Sequence, residues 1–126
     1  MAEGKFVTAI NCMDGRVQEP VNNYLKKMHG ADYVDVITEP GPIKILAEQE
    51  PGSLMASLRT RVDISVNKHG SKVIAVVGHH DCAGNPFNKE IQLEQIEKAV
   101  KTVSSWGFGT EIVKLFVNNN WEIEKL

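Results

Sequence analysis

The sequence reads as a single α/β domain over residues 1–126. The expected core is a mostly parallel four-stranded sheet in the order 2-1-3-4, with helices on both faces and a short antiparallel strand at the C-terminal edge. Three observations predict this. Short β-branched runs alternate with segments whose apolar residues recur at helical spacing, the pattern of βαβ units with right-handed crossovers. The run Val73–Val77 is apolar at every position, as befits a central strand covered on both faces. A chain of 126 residues also holds one continuous core with little room for a second.

In chain order, Lys5 to Ile10 is strand one, followed by a loop from Asn11 to Arg16. Val17, Val21, Tyr24, Leu25 and Met28 then fall on one helical face; Pro20 is tolerated in the first turn and Gly30 is placed to end a helix over 18–29. Val34 to Thr38 is strand two, stopped by Glu39-Pro40-Gly41-Pro42. Residues 43–50 carry no decisive period, and Pro51-Gly52 punctuates the chain after them. Ser53 is the expected N-cap of a helix that turns Leu54, Leu58, Val62 and Val66 inward and closes at His69-Gly70. Strand three is Val73–Val77, and the loop His79 to Asn88 follows it. Leu93, Ile96, Val100 and Val103 mark a further amphipathic helix ending before Trp106. Ile112 to Val117 is strand four, Asn118–Asn120 a turn, and Trp121 to Glu124 the antiparallel edge strand.

Hydrophobic residues at 42% and charged residues at 24% are ordinary for a globular protein. The net charge of −2 comes from interspersed acids and bases without a basic stripe, which argues against a nucleic-acid partner. No apolar run approaches the roughly 20 residues that span a bilayer, and Met1-Ala2-Glu3-Gly4-Lys5 lacks the apolar stretch of a secretory signal. The expectation is a cytoplasmic protein without a membrane partner.

If strand one is central, with strand two on one side and strand three on the other, the winding reverses between strands one and three. Ligands of open α/β sheets bind at such a switch point, beyond the carboxyl ends of the strands. Those ends carry Cys12 and His79, with Cys82 close behind. Two thiolates and an imidazole suit zinc, which takes four ligands. The fourth position either stays open to water, whose pKa the ion lowers towards about 7, or is closed by Asp14. Arg16 can hold Asp14 in bidentate fashion and keep it ionised. An open site of this kind performs hydration or hydrolysis rather than redox chemistry.

Plainer roles compete for the same residues. A buried Cys12 serves as a small core residue, and Asp81 or Asn85 caps the following helix with Pro86 in its first turn. His80 is an exposed loop histidine or a proton carrier, while His29 and His69 complement helix dipoles at C-terminal ends. The two cysteines also allow one disulfide, yet no Cys-x-x-Cys is present and both thiols serve better as ligands.

Cys12-Met13-Asp14-Gly15-Arg16 together with Gly78-His79-His80-Asp81-Cys82-Ala83-Gly84 resembles the paired signature of the β-class carbonic anhydrases, Cys-x-Asp-x-Arg followed by His-x-x-Cys. The resemblance is to a short, trimmed member and runs from Lys5 to Gly84. It implies Zn2+ held by Cys12, His79 and Cys82, with Asp14 and Arg16 as catalytic residues and Asp14 as an alternative fourth ligand. It also implies carbon dioxide and bicarbonate as substrates and a homodimer or larger homo-oligomer. In place of the family's glycine-rich segment stands Glu39-Pro40-Gly41-Pro42, where Gly41 alone matches. Two further readings follow from the same residues: a hydrolase of carbonyl sulfide or carbon disulfide, and a non-catalytic zinc-stabilised binding or assembly protein in which Asp14 closes the site.

Overall fold

The computed structural model describes residues 2–126, so that Met1, the first residue of the expected domain, lies outside the described residues. Five strands form one sheet: β1 (Phe6–Cys12), β2 (Tyr33–Glu39), β3 (Val73–His79), β4 (Glu111–Val117) and β5 (Ile123–Lys125). Their order is β2-β1-β3-β4-β5. The first four are parallel, and β5 runs antiparallel beside β4. Helix α1 (Gln18–His29) covers one face, and α2 (Pro42–Glu48), α3 (Ser53–Asp63) and α4 (Lys89–Ser105) pack on the other.

The alternation of side chains along each strand divides the core in two. Val7 and Ala9 of β1, with Ala75 and Val77 of β3, face Val21 and Leu25 of α1. Ile10, Ile74 and Val76 face Ile43 and Leu46 of α2, Leu58 and Val62 of α3, and Ile96 of α4. β3 is buried along its whole length, as its unbroken apolar run predicts. Gly30 ends α1 in the left-handed conformation, φ 61°, where a residue without Cβ is at ease.

Several expectations need correction. Cys12 and His79 are the last residues of their strands rather than loop residues, because Cys12 pairs with Glu39 and His79 with Val117. Residues 42–48 form a helix, begun by Pro42 in the first turn, where a missing N–H costs nothing. Ser53 does not cap α3; it is already helical, and Gly52 stands before it without a side-chain cap. Leu54 and Met28 are exposed instead of inward. α3 continues into a wider π turn over Ile64–Lys68. Neither Asp81 nor Asn85 caps α4: the N-cap is Asn88, whose side chain accepts the Ile91 N–H at 3.0 Å. The edge strand starts at Ile123, and Trp121 stands outside it with φ 60°.

Candidate metal centre

The parallel pairing of β1 with β3 sets Ile10 opposite Val76. Extending both strands from that register brings their carboxyl ends side by side. There the ligand atoms of Cys12, His79 and Cys82 lie within 4.8 Å of one another, and all three residues are buried. The thiols are free and their sulfurs stand 3.8 Å apart. Two thiolates on one tetrahedral zinc, at bond lengths of about 2.3 Å, would stand about 3.8 Å apart.

The imidazole is prepared in the same sense. His79 Nδ1 lies 2.7 Å from the His80 carbonyl oxygen, which accepts from an N–H there and so leaves the lone pair on Nε2. That Nε2 is buried without a hydrogen-bond partner. A buried acceptor with no partner is costly, and a cation between the two sulfurs would satisfy it. The donor set and its spacing therefore fit a tetrahedral, thiophilic metal ion.

Backbone and amide groups fix these ligands. Gln92, 1% exposed, grips both main-chain groups of His79: its Oε1 accepts from His79 N at 3.1 Å and its Nε2 donates to His79 O at 2.8 Å. Asn11 Oδ1 accepts from Cys12 N, and Gln18 Nε2 donates to Cys12 O at 2.6 Å. Gly41 and Gly84 let the loops after β2 and β3 touch. A Cβ on Gly84 would come within 2.6 Å of the Pro40 carbonyl carbon.

The metal-free thiols are unequal. Burial pushes the Cys12 thiol up, but the His79 ring beside it and the backbone N–H groups of Gly41 and Asp14 outweigh this and bring it down to about 7. Burial and the neighbouring negative charge of Cys12 drive Cys82 up to about 11. His79 is raised despite its own burial, because Cys12 favours the imidazolium.

Asp14, two residues beyond Cys12, lies outside this close group of ligand atoms and is bonded to Arg16. Arg16 Nε donates to Asp14 Oδ1 at 3.0 Å and Nη2 donates to Oδ2 at 2.6 Å, while the Arg16 backbone N–H donates to Oδ1 at 2.9 Å. These bonds hold the Asp14 carboxyl down at about 2. Asp81, expected as a helix cap, instead accepts from Arg16 Nη1 at 3.2 Å. His80 is exposed and lies edge-on to Trp121. His69, expected only to complement a helix dipole, pairs instead with β2, its Nδ1 2.7 Å from Asp35 Oδ2.

Sequence reading missed Gln92, Gln18, Asp81 and Trp121 as members of the site. Only Gln92 left a signal: it falls in step with Ile96, Ala99 and Val103 on the inward stripe of α4, where a polar residue asks for a partner.

A family model described as "Putative carbonic anhydrase" matches residues 2–126. No curated protein matches the sequence. Among solved structures, a β-carbonic anhydrase from the protozoan Trichomonas vaginalis superposes with a TM-score of 0.59 at 16% identity, over 94% of this chain and 80% of that one. One of two tetrameric β-carbonic anhydrases from the ascomycete Sordaria macrospora gives a TM-score of 0.54 at 14% identity, over 99% and 82%. Both share this fold.

Proposed function

The chain belongs to this carbonic anhydrase family, and we propose that it holds one zinc ion on Cys12, His79 and Cys82 and catalyses the reversible hydration of carbon dioxide to bicarbonate. The observation that carries the reading is the buried, unpartnered Nε2 of His79 beside two thiols at tetrahedral spacing. A zinc ion there would lower the pKa of a water towards about 7 and so supply a nucleophile at neutral pH.

The chain's own residues do the rest. Arg16 keeps Asp14 ionised and engages both its oxygens, which argues for the open site over the closed, non-catalytic one. An ionised Asp14 can only accept hydrogen bonds. It accepts one from the attacking water and so aims the oxygen lone pair at the carbon of the substrate. As the carbon–oxygen bond forms, one C=O electron pair moves onto oxygen, the water gives up a proton to solvent, and bicarbonate results. Gln92 and Gln18 hold the backbone of His79 and Cys12 still during this exchange.

Carbonyl sulfide and carbon disulfide present the same linear electrophilic carbon, and the same assay ranks them. A homodimer or larger homo-oligomer belongs to the proposal, supported by the tetrameric state named for the Sordaria macrospora enzymes; light scattering on the eluting protein tests it. Stopped-flow hydration with a pH indicator tests the reaction itself. Zinc-loaded protein should accelerate proton release from dissolved carbon dioxide, and a rate equal to buffer from neutral to alkaline pH overturns the reading.

A further inference from the structure

We propose that Trp121 and Asp81 are positioning residues that clamp Arg16. The effect on turnover rests on the hydration reading above, and the effect on Arg16 itself rests on geometry alone. Arginine side chains at half exposure ordinarily roam, since four torsions are free and water competes for every N–H. Arg16, with 46% of its side chain exposed, is nevertheless held by three residues. Nε and one N–H of Nη2 are committed to Asp14. Two of the remaining three N–H groups go to the loop after β3: Nη2 donates to the Asp81 carbonyl at 3.1 Å and Nη1 to Asp81 Oδ2 at 3.2 Å. The guanidinium carbon sits 4.4 Å from the centre of the Trp121 ring, within the range of a cation–π contact. His80 meets the same indole edge-on at 6.2 Å between centroids.

A second observation is independent of these contacts. Three non-glycine residues have positive φ among the described residues, and two of them, Asp81 at 58° and Trp121 at 60°, are the two that hold Arg16 from outside. A left-handed backbone is unfavourable for a bulky residue and persists where surrounding structure enforces it, often at functional sites. At Trp121 the enforcement is visible. Its N–H donates to the Asn118 carbonyl at 2.9 Å, and Asn118 Oδ1 accepts from the N–H groups of Asn120 and Glu122. The C-terminal turn is thus built to present an indole to a residue near the other end of the chain. One guanidinium ties the Cys12 loop, the Cys82 loop and this turn together.

The test compares Trp121→Leu, which keeps apolar bulk without a ring face, with Trp121→Phe, which keeps the face, and with Asp81→Asn. The Arg16 Nε–H resonance, identified by its loss in Arg16→Lys, is followed by NMR in metal-free and zinc-loaded protein. Carbon dioxide hydration and zinc content are measured in parallel. The expected result is faster water exchange at Arg16 in Trp121→Leu and Asp81→Asn in both forms, with kcat lowered about three- to tenfold, KM and zinc content unchanged, and Trp121→Phe near wild type. Should Trp121→Leu not fold, Asp81→Asn carries the comparison. Unchanged Arg16 exchange and kcat in the variants, or losses that Trp121→Phe fails to restore, overturn the clamp. If wild-type protein shows no hydration at all, the hydration reading falls and the NMR arm alone decides the clamp.

Discussion

Gly84→Ala drives one methyl group into backbone, and its effect can be worked from the structure. The added Cβ would lie 2.6 Å from the Pro40 carbonyl carbon, 2.7 Å from Pro40 Cβ and 2.8 Å from Pro40 O. Comfortable carbon–carbon contact is at about 3.5–4.0 Å, so the segments must part by about 1 Å, and main chain cannot rotate out of the way as a side chain would. Retreat is blocked from the other side as well. Gly41, at φ 62°, has Asn85 Cβ 2.8 Å from where its own Cβ would stand. Overpacking of this kind costs about 1–3 kcal/mol, which in a chain of 126 residues lowers Tm by about 4–12 °C. The metal should feel it more. The Asn85 N–H donates to Cys82 O at 3.3 Å, so a displaced loop carries the sulfur with it, whereas ligand distances tolerate only about 0.2 Å. Thermal melts of metal-free protein measure the packing cost, and competition with a chromophoric chelator measures zinc affinity, expected to fall more than tenfold. Gly15→Ala is the control: nothing lies within 4 Å of its added Cβ. If Gly84→Ala melts with that control and keeps wild-type zinc affinity, the loops after β2 and β3 do not brace one another and the account of the support is wrong.

Three shorter predictions bear on the metal and the dyad. Cys82→Ser replaces a thiolate by a hydroxyl, which should leave purified protein without stoichiometric zinc by elemental analysis while the metal-free melt stays close to wild type. Asp14→Asn should retain zinc and lose about a hundredfold or more in kcat, the scale of a positioned proton acceptor, because an amide can turn an N–H towards the attacking water. Asp14 also marks acid stability: its folded value of about 2 lies below its ordinary value, so its contribution is full above the unfolded pKa of about 3.9 and disappears as pH falls through the folded one. In urea titrations of metal-free protein, the stability difference between wild type and Asp14→Asn should therefore be constant above about pH 5 and shrink towards pH 2. A difference that changes between pH 7 and 5 would contradict the dyad.

What the sequence made legible follows from range. The strand order and the convergence of Cys12, His79 and Cys82 needed only periodicity, handedness and the rule that sites gather at strand ends. α2 escaped because seven residues give scarcely two turns in which a period can show. Leu54 misled because it is apolar at the right spacing, yet the residues by which α3 enters the core are Leu58 and Val62, with Met55 partly buried beside them. Asp81 followed by Pro86 imitates a cap and a first turn, but Asn88 stands nearer the helix and takes that place. Trp121 gave no sign, because its partner is Arg16 near the opposite end of the chain and no local pattern encodes such a contact.

The inequality of the two thiols leads to the last prediction. Both must be thiolates to bind zinc, and the imidazole must be neutral. In metal-free protein near pH 8, Cys12 is ionised, since its value is about 7, whereas Cys82 keeps its proton, since burial and the charge on Cys12 hold it near 11. His79 is raised as well: burial works against the imidazolium, and contact with Cys12 outweighs it. Binding near pH 8 should therefore release about one proton or slightly more, and apparent affinity should rise about tenfold per pH unit while Cys82 remains protonated in the free protein. Calorimetry in two buffers of different ionisation enthalpy counts those protons. In Cys82→Ala, weak binding through the remaining ligands should release well under one proton, and the steep rise of affinity with pH should flatten. Equal release in wild type and variant would place the displaced proton elsewhere and would refute the assignment of Cys82 as the protonated ligand.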